Sequence, residues 1–440
     1  MDLRIPLLVK IPVLLIISWL FGGCGTKVGL VEEGNKVLIK PVNLAEMPMG
    51  EGSLAITHVH VLDVRTGNLL PLHTIWIRDG LIESVFPDGT EVLPGSVEVV
   101  DGAGRYVIPG LIDVHFHLDQ LRGLPHLFLK KGITALRDPG AWIEAYGNER
   151  RRGEQLPRLY LTGPHLDMFP PAHPKDALII RDEEEARQQV RNLVGRGASA
   201  IKIYYRMSLG LIQAAADECK KLGVPSTAHL EISDVREVIR AGVTGIEHVT
   251  SFGLALISPI EAEVYRQKVL ADNHARREGR YEMWSGLDFG DKRNTVKEIF
   301  DLMKEKEVFF CPTLAVFEVG EESEDEVRGL GFQKMMEFTA LAYGKGVDLT
   351  VGSHSYVPYA SYGSAYQREM ELMHACGMSL ADLIRAATWG NARFLGAQEE
   401  IGSIEPGKKA DLVLLSSNPL EHVKNLENVE KVMLNGVWVD

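Results

Sequence analysis

Cysteine and basic residues are both scarce in this 440-residue chain. The four cysteines stand far apart and offer no disulfide framework, so we expect Cys219, Cys311 and Cys376 to be buried apolar residues. The 47 lysines and arginines are outnumbered by 60 acidic residues, which leaves a net charge of −13. A phosphate-binding surface needs clustered Lys and Arg, so this composition argues against nucleic acid as a partner.

Long apolar runs are also missing outside the N-terminus. There, residues 11–21 form an uncharged apolar run that follows Arg4 and Lys10 and ends at Gly22 and Gly23. The run is too short for a comfortable membrane span. Its basic start and small-residue end predict a signal peptide over residues 1–23, and therefore export of the chain.

Cys24 follows that glycine pair, as the lipidated cysteine of a bacterial lipobox does, although Phe21 stands where leucine is usual. The resemblance predicts a lipoprotein that begins at Cys24 and touches the membrane only through its N-terminal lipid. Gly25 after the cysteine favours the outer membrane, facing the bacterial periplasm. A plain signal peptide and an N-terminal anchor helix are the alternatives.

A tether and a small β-structure are predicted next along the chain. Residues 24–52 have weak periodicity, and strand patterns begin at Ser53. Asp79-Gly80 separates HTIWIR from LIESVF, which predicts a hairpin because Gly accepts a positive φ. Residues 399–440 return to strand patterns, and we expect them to join residues 53–105 in a β-sandwich. His58 and His60 then lie on a polar strand face without further ligand-type neighbours, so we interpret them as structural.

Residues 106–398 alternate short apolar strands with helical patterns, which is typical of parallel β/α units. Eight such strands over this length favour a closed (β/α)8 barrel over an open sheet. The charge-rich residues 253–306 predict a helical insertion between the sixth and seventh strands. The strand segments are, in order, YVIPGLIDVHFH, GITALRD, RLYLTG, SAIKIYY, VPSTAHL, VTGIEH, VFFCPT and DLTVGSH.

Histidines end several of these strands, at the edge where such barrels carry their active sites. A lone strand-end His is more often structural than a ligand, but five at one barrel mouth indicate a metal site. They are His115 and His117, which share one strand face, and His229, His248 and His354.

Lys202 ends no strand but alternates with Ile201 and Ile203, so it faces the barrel interior. A buried ammonium is costly there, especially beside metal ions. Reaction with CO2 removes this cost, because the amine becomes an anionic carbamate that can bridge two metals. A buried salt bridge is the alternative.

In combination, these motifs resemble the amidohydrolase superfamily, in its branch of imidazolonepropionase-like and prolidase-like enzymes. The resemblance covers residues 53–440 and implies a metal-dependent hydrolase of amide or other C–N bonds that acts through a metal-bridged hydroxide. It also implies two divalent ions, usually zinc, with His115 and His117 on one, His229 and His248 on the other and carboxylated Lys202 between them. The segments that carry it are VIPGLIDVHFH, GITALRDPG, IKIYY, STAHLE, GIEHVTSFG, ATWGNARFLG and IGSIEPGKKADLVLL.

One position departs from this family pattern. The family's eighth strand ends in GTD or GSD, whose aspartate ligates a metal and takes a proton from the attacking hydroxide, whereas this chain reads VGSHS with His354. Imidazole can coordinate zinc and accept a proton, so we expect His354 to be a ligand and an improvised catalytic base. It is a poor base once coordinated, and Asp348 at the start of the strand cannot replace it. Two functions stay open: a hydrolase of reduced activity, and a non-catalytic metal-binding lipoprotein with a degenerate site.

Substrate contacts are predicted around the same mouth. Tyr204 shares the inward face of Lys202 and is placed to donate to a substrate carboxylate, with a packed core tyrosine as the alternative. His165 and His173, in TGPHLDMFPPAHP after the third strand, are expected to line the pocket, with an ordinary proline-stiffened loop as the alternative. A small-molecule substrate is expected, Xaa-Pro-type dipeptides or cyclic amides among the candidates, and oligomerisation stays open.

Overall fold

A computed structural model describes residues 39–118, 123–320 and 322–440 of the chain. The predicted signal peptide, Cys24 and residues 25–38 of the predicted tether lie outside these residues. The strands are β1 (Ser53–Asp63), β2 (Asn68–Arg78), β3 (Leu81–Pro87), β4 (Glu98–Asp101), β5 (Tyr106–Pro109), β6 (Leu111–Asp113), β7 (Ile133–Asp138), β8 (Arg158–Leu161), β9 (His165–Asp167), β10 (Ala177–Ile179), β11 (Ile201–Ile203), β12 (Ser226–His229), β13 (Gly245–Glu247), β14 (Phe309–Cys311), β15 (Leu412–Leu415), β16 (Val429–Leu434) and β17 (Val437–Trp438).

Helices separate the strands in the central part of the chain. They are α1 (Leu124–Lys130), α2 (Gly147–Arg151), α3 (Glu183–Gly195), α4 (Leu209–Leu222), α5 (Val235–Arg240), α6 (Gly253–Leu256), α7 (Pro259–Ala271), α8 (Arg276–Ser285), α9 (Arg293–Glu305), α10 (Glu326–Gly344), α11 (Ala365–Ala375), α12 (Leu380–Arg385) and α13 (Asn391–Leu395). Among the described residues, no helix combines the length and apolarity that a membrane crossing needs.

The two ends of the described chain meet in one eight-stranded sheet, the sandwich beside the barrel. The strand order is β17-β16-β15-β5-β1-β2-β3, with β4 paired to β1. The predicted hairpin joins β2 and β3, and both of its turn residues, Asp79 and Gly80, have positive φ. His58 is exposed and contacts Asp101, in keeping with a structural role. Residues 53–109 and 412–438 therefore share one sheet, in keeping with the predicted sandwich.

The boundary between sandwich and barrel lies at Gly110, a few residues later than predicted. β5 pairs with β1 and β15 in the sandwich, whereas β6 pairs with β7 in the barrel. A Cβ on Gly110 would fall 2.1 Å from Thr134 Oγ1, so only glycine fits where the chain passes between the two sheets. The segment YVIPGLIDV is thus two strands joined at this glycine.

The barrel contains all eight predicted strand segments in parallel order. β6, β7 and β8 form one run, and β11, β12, β13 and β14 form another, which β9 and β10 extend in the order β10-β9-β11. Ser199 N donates to Leu161 O at 2.8 Å and joins the two runs. Residues 349–351 supply the eighth strand, because Leu349 bridges to Phe310 and Val351 O accepts from Val114 N at 3.2 Å. The fold is therefore a (β/α)8 barrel flanked by a β-sandwich, as predicted.

The predicted helical insertion, residues 253–306, contains α6, α7, α8 and α9. A capping box fixes the start of α7, because the Ser258 and Glu261 side chains each accept from the other residue's backbone N–H. α8 packs against α10. Its first residue, Arg276, is buried at the barrel mouth.

Residues 39–50, which the sequence assigns to the tether, pack against the protein. Asn43 is buried, and its side chain donates to Pro157 O and accepts from Leu159 N, both at 2.9 Å. Val42 N donates to Leu159 O at 2.8 Å. These contacts lie at the start of β8, the end of the strand away from the histidines. Cys219, Cys311 and Cys376 are buried and unpaired, as predicted.

Candidate metal centre

The five strand-end histidines meet at the barrel mouth. Ring centroids are 5.0 Å apart for His115 and His117, 4.7 Å for His115 and His248, and 4.4 Å for His229 and His248. The His354 ring lies 4.8 Å from that of His117 and 5.4 Å from that of His115. Residues separated by up to 239 positions in sequence therefore converge, because parallel strands bring their C-terminal ends to one rim.

The Nε2 atoms of His115 and His117, each a potential metal ligand, face one another. Their Nε2 atoms are 3.2 Å apart, and together with His354 they form a group whose potential ligand atoms all lie within 4.8 Å of one another. His115, Glu247 and His248 form a second such group. Two imidazole nitrogens this close together can both coordinate one divalent ion, and this fits them better than a direct contact between the two rings.

His229 and His248 each engage one ring nitrogen in a hydrogen bond. His229 Nε2 lies 3.1 Å from a Glu231 oxygen, and His248 Nδ1 lies 2.7 Å from Thr313 Oγ1. Within the described residues, His229 Nδ1 is a buried nitrogen without a hydrogen-bond partner. Metal-ligating histidines are held in this way by a partner on the second nitrogen, so the pair fits a metal.

All five histidines have lowered pKa values that favour the neutral imidazole. Burial lowers the pKa of His229 to about 3 and that of His354 to about 4. Burial also lowers the pKa of His115, His117 and His248 well below the ordinary value, and Lys202 and the neighbouring histidines act in the same direction. Neutral imidazole is the form that binds a metal, so no proton has to be displaced near neutral pH.

Lys202 is buried inside the barrel, 3% exposed, as its alternation with two isoleucines predicts. Its Nζ contacts the carboxylate of Glu247, which is the buried salt bridge named as the alternative to a carbamate. Burial, together with nearby Arg137, lowers the pKa of Lys202 well below its ordinary value. The neutral amine that this favours is the form that reacts with CO2, whereas the contact with Glu247 is a salt bridge only if Lys202 carries its proton.

Glu247 and Arg137 are buried residues at the site that the sequence analysis missed. Arg137 donates to Glu247 Oε1 and to Thr227 Oγ1, both at 2.7 Å, and Glu247 Oε2 lies 3.2 Å from His115 Nδ1. Strand alternation would place Glu247 and His248 on opposite faces. His248 has φ +68°, which breaks the alternation and turns both side chains toward the site. The adjacent acid in GIEH is the signal that could have found Glu247.

His354 is fixed to the first barrel strand by its backbone. His354 N donates to His115 O at 2.7 Å, and the Ser355 hydroxyl accepts from His117 N at 2.7 Å. Asp113 accepts from the backbone N–H of both His115 and Ser353 at 3.0 Å. His354 and Ser355 both have φ +60°, a conformation uncommon outside glycine that clusters at functional sites.

A cavity of about 1080 Å³ opens above the histidines. The three predicted substrate contacts all line it, with Tyr204 4.4 Å from His165 and 5.6 Å from His173 between ring centroids. Its wall is rich in cations that the sequence analysis did not single out, because they lie on the insertion and on surface loops: Lys175, Arg196, Arg276, Arg277 and Arg280.

Glu231 is expected to position His229 for metal binding. Its buried carboxylate also accepts from Tyr265 Oη at 2.6 Å, and it holds the proton of His229 on Nε2 so that Nδ1 is left as the donor. Glu231→Ala should weaken metal binding by about 10- to 100-fold, with one ion retained on His115 and His117. Metal content after dialysis against graded chelator measures this, and Tyr265→Phe, which removes only the neighbouring hydroxyl, is the matched control. Equal affinities of Glu231→Ala and wild type would contradict the role.

Comparison with known proteins agrees with this architecture. A model of the amidohydrolase family matches residues 342–439. An uncharacterized protein of Mycobacterium tuberculosis is 26% identical over 232 residues, which is 50% of this chain but 36% of that protein. The chain thus spans about a third of the length of such curated relatives.

Solved structures match over nearly the whole chain. A putative prolidase from Bifidobacterium longum has a TM-score of 0.68 and 26% identity, and the match covers 89% of this chain and 95% of that one. A Xaa-Pro dipeptidase with methionine bound in its active site has a TM-score of 0.67 and 21% identity, covering 88% and 99% of the two chains. The family model over residues 342–439 and the 26% identical structure of a putative prolidase, together with the strand-end histidines, support the amidohydrolase superfamily, in its prolidase-like branch.

Proposed function

We propose that this protein is a metal-dependent hydrolase of amide or related C–N bonds. The observation that carries the proposal is the convergence of five neutral imidazoles and one buried lysine on a single cavity at the C-terminal ends of the barrel strands. The likeness to a putative prolidase supports Xaa-Pro-type dipeptides as the first substrates to test, ahead of cyclic amides.

The metal site would hold two divalent ions. His115 and His117 would bind one, joined by His354, and His229 and His248 would bind the other. Nitrogen ligands with a carboxylate bridge suit zinc. Lys202 would supply that bridge as a carbamate, formed when its neutral amine bonds to the carbon of CO2 and releases one proton.

Side chains of the cavity would bind the substrate and accept the proton. Divalent ions in such sites polarise a substrate carbonyl and lower the pKa of bound water. The cavity walls would hold the scissile bond against the histidines, with His165, His173 and Tyr204 contacting the substrate. His354 would accept the proton at this mouth, although a pKa of about 4 makes it a weak base.

The alternative is a non-catalytic metal-binding lipoprotein that retains the site without turnover. His354 favours it, because the position lacks the carboxylate of the family pattern. The two functions are separated by assaying a dipeptide and lactam library with the chain loaded with zinc or manganese, alongside metal analysis. Hydrolysis that depends on the added metal supports the enzyme, whereas full metal loading without any turnover supports the alternative.

We also propose that the protein is an exported lipoprotein of the outer membrane. The support is the N-terminal pattern, which lies outside the described residues. Expressed in a bacterium with lipoprotein processing, the mature chain should begin at a lipid-modified Cys24 and sediment with outer membranes. Cys24→Ser should remove the lipid and leave the barrel intact. Mass spectrometry that finds an unmodified Cys24 on a soluble periplasmic form would overturn this proposal.

A further inference from the structure

Thr313 lies just after β14, the seventh barrel strand, at the edge where the first, fifth, sixth and eighth strands end in histidine. It is fully buried, and its Oγ1 lies 2.7 Å from Nδ1 of His248. The two strand ends are also joined through the backbone, because His248 N donates to Cys311 O at 2.8 Å. The pairing of the sixth and seventh strands therefore brings this hydroxyl to this imidazole.

The Thr313 hydroxyl has a single proton, and a second neighbour decides where that proton goes. Oγ1 also lies 2.8 Å from the carbonyl oxygen of Pro312, which can only accept a hydrogen bond. The hydroxyl therefore donates to Pro312 O and accepts from Nδ1–H of His248. This places the imidazole proton on Nδ1, so that Nε2 is the nitrogen left to bind a metal.

Both residues of this contact have a strained backbone. The φ angle is +47° at Thr313 and +68° at His248. A positive φ is an outlier for a β-branched residue such as threonine. Such conformations persist where the surrounding structure fixes them, and they cluster at functional sites. The position of Thr313 therefore requires a group that holds the chain beside it.

Glu369 of α11 is that group. It is fully buried, and its two carboxyl oxygens accept from Leu314 N at 2.9 Å and from Ala315 N at 2.8 Å. Among the described residues, these two N–H groups are its only hydrogen-bond donors. A buried carboxyl group is costly unless its oxygens are paired, and here both are paired with the backbone that directly follows Thr313.

We infer that Thr313 is the positioning residue of His248 and that Glu369 positions Thr313. The seventh strand, to which the proposed metal site assigns no ligand, thereby sets the proton position and the orientation of the ligand on the sixth. This inference rests on the proposed hydrolase function and adds a further part to its site. Thr313 and Glu369 act through His248.

The test of Thr313 measures how zinc is retained by the zinc-loaded protein against graded chelator. Thr313→Val keeps the branched shape and removes the hydroxyl, so the affinity for one of the two ions should fall by about 10-fold, with the other unchanged. Thr313→Ser should restore it. Thr339→Val is the matched control, because it removes a buried hydroxyl that bonds Met335 O within α10, and it should change neither affinity.

A double-mutant cycle shows whether the effect passes through His248. In a His248→Ala background the imidazole is gone, so Thr313→Val should cause no further loss of zinc. A merely structural role of Thr313 would lower zinc affinity equally in both backgrounds. Melting temperature, measured on every variant, separates loss of zinc from loss of the fold.

Glu369→Gln tests the second step. The amide retains one acceptor and turns an N–H donor toward a backbone N–H, so the same zinc affinity should fall, and Thr313→Val should add little to it. Glu218→Gln alters another buried carboxyl group, which pairs with Arg191 away from the barrel mouth, and should leave zinc binding unchanged.

Zinc retention is measured without substrate, so absence of turnover would end the hydrolase proposal and leave this test intact. The selective loss in Thr313→Val, its rescue by serine and its disappearance in the His248→Ala background support the inference. Wild-type affinities in Thr313→Val overturn it, as does an equal loss in both backgrounds. Equal zinc affinities of wild type and His248→Ala would overturn it together with the proposed metal site.

Discussion

Lys202→Ala is expected to lose most of the bound metal and nearly all turnover. In the proposed site, the Lys202 carbamate is the anion that joins the two ions, and the histidines around it are all neutral. Removing that anion leaves the two dications with neutral imidazoles and with Glu247, whose charge is already paired with Arg137, and this is unfavourable in a buried site. Elemental mass spectrometry should find about two ions per chain in wild type and fewer than one in the purified variant.

The same variant distinguishes the carbamate from the salt bridge to Glu247. Arg137 still pairs with Glu247 after the lysine is removed, so the fold should survive, and melting temperature checks this. In wild type, the carbamate carbon should appear in a ¹³C spectrum after incubation with labelled bicarbonate, and acid treatment should remove it. Full metal occupancy in Lys202→Ala, with no labelled carbon in wild type, would show that Lys202 is only a structural partner of Glu247.

The features that the sequence predicted can all be placed from the alternation of side chains along each strand and from the order of the strands in the fold. His115, His117, His229 and Lys202 follow from strand periodicity and from the common rim of a parallel barrel. The joining of residues 53–109 and 412–438 in one sandwich follows likewise from two separate strand-rich regions. No information about the backbone beyond its ideal form is needed at these positions.

The features that the sequence did not predict depend on local departures from ideal geometry. Glu247 and His248 face the site together because the positive φ of His248 breaks strand alternation. The chain passes from β5 in the sandwich to β6 in the barrel at Gly110, where a Cβ would collide with Thr134. Arg276 lies on an insertion helix, whose placement over the mouth is set by contacts such as that between Asn273 and Arg206. Strand patterns carry no signal for tertiary contacts of this kind.

His354→Asp is expected to raise turnover on the order of 100-fold, which is the usual contribution of a general base. His354 sits beside His115 and His117, so an aspartate there would add a negative charge next to the ions. A carboxylate has a second oxygen free to take a proton, whereas a coordinated imidazole has none at the metal side. The φ of +60° is tolerated by aspartate about as well as by histidine, so the backbone should not move.

Turnover with zinc and metal content are measured together, since they separate three outcomes. A rise in kcat at unchanged metal content shows that the protein is an active enzyme in which the imidazole of His354 is a weaker base than a carboxylate. A fall in kcat with metal still bound shows instead a site retuned around His354, and His354→Asn, which cannot accept the proton as a carboxylate does, should then fall as well. If wild type and His354→Asp are both inert toward amides, dipeptides and lactones at full metal loading, the hydrolase proposal fails and the metal-binding lipoprotein stands. We expect the first outcome, because the remaining four histidines and the inward lysine are in place and a buried lysine is costly to retain without use.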